Sequence, residues 1–472
     1  MVSRLSARPR WPACTLVALV AALASAHARQ DAAGTAPADA AWLEPYRETA
    51  AQLIRVAQAD DFAWRRLATM TDTFGPRLSG SEALEAAIRW AADTMRADGL
   101  ERVRLDPVMV PRWVRGLERA TLVSPVRQGL PMLGLGGSVG TPPGGIEAPV
   151  LVVRNFSELE AASEVRGRIV LFNAPFTTYG ETVQYRTTGP ARAARRGAVA
   201  ALVRSVGPAG YRTPHTGSTT YDGAGPRIPA AAIAAEDADR LQRLQDRGVP
   251  VVVRLDMEAH TLPDTLSHNV VAEWRGRERP DEIVVVAAHI DSWDVGAGAL
   301  DDAGGCVAVW EALRLLRMQD LRPRRTIRVV LFTNEENGLR GAQSYRNTYR
   351  RELDDHVLML ESDIGLLAPI HFGFSGSAAA RARVTDIARL LTPLDIGAVG
   401  PVGGGADIAP SVQTANIPSM SLEANESRYF AFHHTDADTP DKITPQEISR
   451  AAAGIAVMAY IVADMPARLD EE

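Results

Sequence analysis

Two apolar runs frame the C-terminal half of the chain. Ile283-Val-Val-Val-Ala-Ala and Thr326-Ile-Arg-Val-Val-Leu-Phe-Thr are nearly unbroken apolar stretches bounded by polar residues, the pattern of strands buried on both faces of a parallel sheet. Around them strand and helix patterns alternate: strand 283–288, helix 302–318, strand 326–333, helix 339–350, strand 356–361, helix 376–391, strand 418–422 and a last helix. Thr444-Pro-Gln-Glu447 opens that last helix with a capping box and Pro at its first position, and Ile448, Ala452, Ile455, Tyr460 and Ile461 give it an apolar face. The alternation predicts an α/β fold with a central mixed sheet.

The N-terminal half reads differently. An amphipathic pattern begins near Ala41 and runs through Trp42, Leu53, Ile54 and Val56. Phe74-Gly-Pro-Arg-Leu-Ser-Gly-Ser-Glu82 then combines a turn with helix-start signals, with Ser79 or Ser81 as the cap and Glu82 or Glu85 in the first turn. The helix that follows packs Leu84, Ile88, Ala91 and Met95 on one face and stops at Gly99, and 103–110 alternates as a strand. From about Leu130 the character changes to short apolar runs separated by Gly and Pro, with helical pieces near 190–196 and 236–247. This predicts a β-rich domain, 130–261, inserted into a main domain made of 41–129 and 262–472. His215 and Tyr221 fall in Gly/Ser/Thr-rich loop sequence there, which fits either a solvated loop or a lid.

The first 28 residues form their own pattern. An Arg-bearing start, the apolar run Cys14-Thr-Leu-Val-Ala-Leu-Val-Ala-Ala-Leu-Ala and a small-residue end, Ala24-Ser-Ala-His-Ala, read as a secretory signal peptide over 1–28. Its apolar core is too short for a comfortable membrane span, and Cys14 precedes most of it, against a lipoprotein anchor. A small-residue tether, 29–40, follows. The reading is a secreted or periplasmic protein with no membrane association once the leader is removed. Cys306 is then the remaining cysteine, so no intrachain disulfide is expected. The formal charge of −6 becomes −9 when Arg4, Arg8 and Arg10 leave with the leader, a balance that disfavours nucleic acid as a partner. The basic residues are almost all Arg, with Lys442 a rare exception, which reads as a coding bias.

Candidate chemistry collects at the ends of the predicted strands. His289 and Asp291 follow the first run, Asp301 opens the next helix, Glu335 and Glu336 follow the second run, Asp363 follows a third strand, and His434 lies in a later loop. In open α/β sheets ligands sit beyond the carboxyl ends of strands, so these residues would face one crevice. Asp301, Glu336 and Asp363 as carboxylates, with one hydroxide, total −4, which two divalent ions would balance. Crowded acids without such ions would raise one another's pKa. Mixed imidazole and carboxylate ligation suits Zn²⁺, with Mn²⁺ or Co²⁺ as alternatives.

His289-Ile-Asp291, Asp301-Asp302-Ala-Gly-Gly, Asn334-Glu335-Glu336, Glu361-Ser-Asp363 and His434-Thr-x-x-Asp438-Thr are similar to the motifs of the co-catalytic zinc aminopeptidase family. The longer string from His289 to Asp302 resembles the carboxypeptidase Q branch of that family, as do Gly75-Pro-Arg-Leu-Ser-Gly-Ser81 and Val108-Met-Val-Pro-Arg-Trp113. The resemblance implies a three-layer α/β/α zinc-exopeptidase domain, with 130–261 resembling a protease-associated domain. It implies two Zn²⁺ per chain: one held by His289 and Asp363, the other by Glu336 and His434, with Asp301 bridging. His434 rather than the adjacent His433 matches the motif position before Thr435. The resemblance makes Glu335 the general base and gives Asp291 the role of orienting His289, with Asp438 as a similar partner for His434. Arg428 and Tyr429 are candidates for binding a substrate carboxylate or the oxyanion. Gly403-Gly-Gly-Ala-Asp407 departs from the wider family pattern, which puts a substrate role for that loop in doubt. The substrates implied are dipeptides or short peptides with free termini, and a homodimer is a candidate assembly. An aminopeptidase acting on longer peptides and a non-catalytic binding protein of the same fold are the competing expectations.

Overall fold

The computed structural model describes residues 38–471 apart from 222, 224 and 369. The predicted leader, and the predicted tether up to residue 37, lie outside the described residues, while a 3-10 helix spans Ala38–Tyr46. Tyr46–Glu472 forms one compact unit.

The main sheet has eight strands, in spatial order Glu101–Val114, His260–Trp274, Arg325–Phe332, Arg279–His289, His356–Glu361, Ser419–Glu423, His371–Ser375 and Val399–Gly400. Its middle four strands run parallel and the pairs flanking them are antiparallel, so the predicted mixed sheet is present. Side chains alternate across each strand. Ile283, Val285 and Ala287 join Val330, Phe332, Tyr345, Tyr349 and Ile408 in one core cluster, under the helices Arg340–Thr348 and Ala409–Ala415. The helices Gly304–Met318 and Pro445–Asp464 pack on the same two central strands, where Val284, Val286 and Ala288 are fully buried. Helices on two faces with both sets of strand residues buried are what the unbroken apolar runs require.

The helix boundaries follow the predicted signals closely. Ser81 caps the helix Glu82–Ala97 by accepting the Leu84 N–H, and the capping box at Thr444 forms, with the Glu447 side chain returning to the Thr444 N–H. Thr444→Ala is expected to cost about 1 kcal/mol, read from urea unfolding. A second helix, Phe62–Phe74, lies outside the sequence expectations, because its apolar positions merge with those of Arg47–Ala59.

A second eight-stranded sheet runs Gln128–Leu130, Glu118–Ser124, Val252–Met257, Ile146–Val153, Ile169–Phe172, Ala200–Arg204, Ala230–Ile233 and Met132–Gly134. Four of these strands, from Ile146–Val153 to Ala230–Ile233, are parallel. The helix Ala235–Asp246 packs into one core cluster and Gly189–Arg195 into another, so this region is itself α/β and not simply β-rich. Glu118–Ser124 pairs with Val252–Met257, which puts strand residues before 130 into this second sheet.

His356, at the start of a central strand, donates and accepts through Glu352 O at 2.8 Å and Tyr345 Oη at 2.9 Å. Burial, aided by Arg328 and Arg468 against the Glu352 carbonyl, pushes its pKa down to about 4. The folded state therefore binds fewer protons than the unfolded state between about pH 4 and the ordinary histidine value near 6.5. Its contribution is fully present above pH 6.5 and lost as pH falls through 4, at most about 3 kcal/mol. Urea titrations at several pH values are expected to show a shallower acid slope in His356→Gln.

Candidate metal centre

Every predicted metal residue stands at the carboxyl end of a central strand or in a loop that returns to it. His289 is the last residue of its strand, paired in register with Phe332. Its Nε2 lies 3.2 Å from Asp301 Oδ1 and 3.7 Å from Asp363 Oδ1. Asp301 Oδ2 lies 3.2 Å from His434 Nε2, and Glu336 Oε2 lies 3.0 Å from the same nitrogen. One oxygen of Asp301 thus faces His289 and the other faces His434. His433 stacks on His434 at 3.5 Å between ring centroids, and its Nε2 lies 3.6 Å from Asp301 Oδ2. Three donor sets result, each with ligand atoms within 4.8 Å of one another: His289, Asp301 and Glu336; His289, Asp302 and Asp363; and Asp301, His433 and His434.

The local chain explains this convergence. Gly305 allows the helix start to close on the third strand, since a Cβ there would lie 2.1 Å from the Ser362 carbonyl and 2.2 Å from Asp302 Oδ1. Asp302 accepts the His289 and Gly305 N–H groups, so its carboxylate spans the strand end and the helix start. Asp438 accepts the N–H groups of Ala299, Leu300 and Asp301 at 3.0, 2.7 and 3.2 Å. It therefore fixes the loop that carries Asp301, whereas His434 Nδ1 faces the Thr216 carbonyl at 3.3 Å. The expected pairing of Asp438 with His434 is replaced by these contacts.

Asp291 also acts on backbone. Its carbonyl lies 3.0 Å from His289 Nδ1 while the nearer carboxylate oxygen is 3.8 Å away. That carboxylate accepts the N–H groups of Glu335 and Glu336 at 3.0 and 3.4 Å and the Ser79 hydroxyl at 3.2 Å. Orientation of His289 by Asp291 thus runs through the carbonyl, and the side chain holds the turn bearing the two glutamates.

Charge is concentrated without solvent. Burial disfavours both imidazolium forms, yet the carboxylates of Asp301 and Asp363, 3.2 and 3.7 Å from its Nε2, hold the His289 pKa well above its ordinary value, and those of Glu336 and Asp301 do the same for His434. Burial opposes ionisation of Asp301, and the two histidines still hold it well below the usual carboxylate range. Burial, with repulsion from Asp301, pushes Glu336 up to about 7, and burial pushes Glu335 well above its ordinary value despite His289. His289 Nε2, Asp301 Oδ2 and Glu336 Oε1 are buried and make no hydrogen bond. Buried donors that converge without hydrogen-bond partners fit a metal ion, and mixed imidazole and carboxylate donors fit zinc. Because such ligands bind a metal in their deprotonated forms, its binding would release protons.

Beside this cluster lies a cleft of about 740 Å³, walled by Glu335, Asp363, Tyr429, Phe430, Trp113 and Arg186 among others. Tyr429 brings its hydroxyl to 3.4 Å from Asp363 Oδ1. Arg428, its predicted companion, turns instead to Glu447 at 2.6 Å and reinforces the last helix cap. Asp407 is buried, and the N–H groups of Asp407 and Ile408 bond to Glu361 at 3.1 and 2.9 Å. The glycines before it allow that contact, since a Cβ on Gly405 would lie 2.1 Å from the Glu361 carboxyl carbon. Tyr221 bonds the Ile228 carbonyl within the second sheet region, while His215 is buried and its Nδ1 lies 2.8 Å from the His433 carbonyl. Sequence reasoning left His215 in a loop; no local pattern announces a contact to residues more than two hundred positions away.

Comparison with known proteins gives a consistent picture. Residues 269–459 match peptidase family M28. Carboxypeptidase Q of Homo sapiens is 46% identical over 409 residues, covering 86% of this chain and 86% of that protein. Carboxypeptidase Q of Xenopus laevis is 44% identical over 427 residues, covering 90% and 91%. The crystal structure of a peptidase M28 precursor from Shewanella amazonensis superposes with a TM-score of 0.86 at 34% identity, over 89% of this chain and 97% of that one. A zinc aminopeptidase from Bacillus subtilis shares the fold, with a TM-score of 0.63 at 19% identity over 86% and 96%.

Proposed function

This chain belongs to peptidase family M28 and is a zinc-type metallo-exopeptidase, and from that premise we propose that it hydrolyses dipeptides or short peptides with free termini at a centre for two zinc ions. The observation that carries the reading is Asp301, whose two oxygens stand 3.2 Å from His289 and 3.2 Å from His434. His289 and Asp363 would hold one ion and Glu336 and His434 the other, with Asp301 shared. Zinc bound there supplies Lewis-acid polarisation of the scissile carbonyl and lowers the pKa of water. The competing expectation of a non-catalytic binding protein gives way to the family membership.

The protein's own groups account for proton movement. Glu335 lines the cleft beside Asp301 and Asp363. Its carboxylate takes a proton from the water that attacks the scissile carbonyl carbon and delivers it to the leaving amine nitrogen as the C–N bond breaks. Asp291 keeps Glu335 at the cleft through its backbone N–H. Tyr429, on the same wall, is placed to donate to oxygen where negative charge develops. Trp113 and Phe430 supply apolar wall for side chains.

The relatives named carboxypeptidase Q support removal of C-terminal residues. Support for export comes from the leader pattern of 1–28; among the described residues no helix is long and apolar enough to cross a membrane. The second sheet region is read as an inserted domain that closes one side of the cleft, and the assembly as a homodimer. Substrate class is tested with dipeptides and a longer peptide series, each also with a blocked amino or carboxyl end. Preferred turnover of unblocked dipeptides is expected, with loss on blocking the carboxyl end. Equal turnover of long peptides that need only a free amino end would make it a general aminopeptidase.

A further inference from the structure

Resting on the two-ion reading, we propose that the segment 215–218, which belongs to the second sheet region, is a positioning strap for one ion only, the one assigned to Glu336 and His434. Its polar groups reach the backbone of that half of the centre three times. The Thr216 N–H donates to the His434 carbonyl at 2.9 Å, His215 Nδ1 donates to the His433 carbonyl at 2.8 Å, and the Ser218 hydroxyl donates to the Glu336 carbonyl at 2.8 Å. The Thr216 carbonyl faces His434 Nδ1 at 3.3 Å. Arg186 Nη1 lies at the same 3.3 Å from that nitrogen, so strap and guanidinium together hold the ring with Nε2 towards Glu336 and Asp301.

The strap also holds an uncommon backbone state. His434 has φ +61°, a left-handed conformation that is unfavourable for a side-chain-bearing residue. It persists where surrounding contacts over-determine it, and the bond from Thr216 N–H is made by the same residue whose carbonyl meets the imidazole. The strap itself is anchored by three further bonds. His215 N–H bonds Ser205 Oγ, Gly136 N–H bonds the Gly217 carbonyl, and Arg186 Nη1 donates to the Thr216 carbonyl at 3.0 Å. Gly217 cannot be replaced without moving it, since a Cβ would lie 2.2 Å from the Arg186 guanidinium.

The ligands assigned to the other ion rest on groups outside the strap. His289 rests on the Asp291 carbonyl, and Asp363 meets the Tyr429 hydroxyl. Loss of the strap should therefore weaken one zinc and spare the other, although every ligand side chain is intact. Outer partners of metal ligands typically govern about 10–100-fold in affinity.

The test is zinc titration into chelator-stripped full-length mature protein, by calorimetry or against a chromogenic chelator, for wild type, Ser218→Ala, His215→Gln and Gly217→Ala. Two binding steps are expected in wild type. In the variants one step is expected to weaken about 10–100-fold while the other stays within twofold. Asp363→Asn should weaken the opposite step, and Ser218→Thr, which keeps the hydroxyl, should retain both. Ser218→Ala removes a single hydroxyl, so it decides the matter if Gly217→Ala unfolds. Two wild-type steps that weaken equally in Ser218→Ala and His215→Gln, or do not weaken, overturn the inference and leave the two-ion reading standing. A single wild-type step overturns that reading and the inference together.

Discussion

Glu335→Gln is expected to lower kcat by about 10²–10⁴-fold while leaving zinc content and KM close to wild type. The substitution keeps the side chain's size and removes its ability to accept a proton. Glu335 is intermediately exposed on the cleft wall, and its position is set by the bond from its own N–H to Asp291, which glutamine leaves in place. Burial and the neighbouring acids push its pKa well up in the ion-free chain despite the attraction of His289. Positive charge in the cluster would bring it down and restore its basic form. Loss of zinc in this variant would make Glu335 a ligand and not the base.

Arg77→Met carries the largest expected cost in stability, about 3–5 kcal/mol. Arg77 is wholly buried, and its guanidinium donates to the carbonyls of Ile290, Gly75, Ala297 and Gly298 at 3.0, 2.8, 2.8 and 2.9 Å. Its own N–H bonds Ser292 Oγ. One side chain thereby ties the loop that joins His289 to Asp301, while Ser79, two residues on, accepts from Asn334 at 3.0 Å and donates to Asp291. Methionine fills the space but leaves the carbonyls of Ile290, Gly75 and Ala297 without the guanidinium donor, while Gly298 keeps the Ala303 N–H. The cation also stands among Asp438, Asp291 and Asp302, against a burial effect that lowers its pKa. Arg77→Lys keeps the charge with a single point donor and should recover only part of the loss. A urea midpoint for Arg77→Met that matches wild type would contradict this role.

The strands and the long helices were legible because their apolar spacing is local information. The run at 283–288 became Arg279–His289, and 356–361 was found as His356–Glu361. The α/β character of the second sheet region was hidden because its parallel strands are only four or five residues long at Ile169–Phe172 and Ala200–Arg204, too short to distinguish from hairpin strands by pattern. The residues proposed to hold metal were legible from strand ends and motif spacing, and their side chains do converge. What surrounds them was not. Thr216, His215 and Ser218 reach the centre by donating to backbone carbonyls, which any residue possesses, so no residue type at the receiving end marks the contact. Asp438 and Asp291 were recognised as partners of the histidines, yet their carboxylates serve backbone N–H groups instead, a choice fixed by how the loops turn. Arg77 lies in the Gly75-to-Ser81 motif, but three of its four acceptors are carbonyls more than two hundred positions away.

Elemental analysis of the purified mature protein, coupled to a dipeptide assay, decides whether this chain builds a zinc centre for peptide hydrolysis. Two zinc ions per chain are expected, with turnover abolished by chelation and restored when zinc is returned. Full turnover by metal-free protein, or a fully zinc-loaded protein that cleaves no peptide, would contradict that expectation.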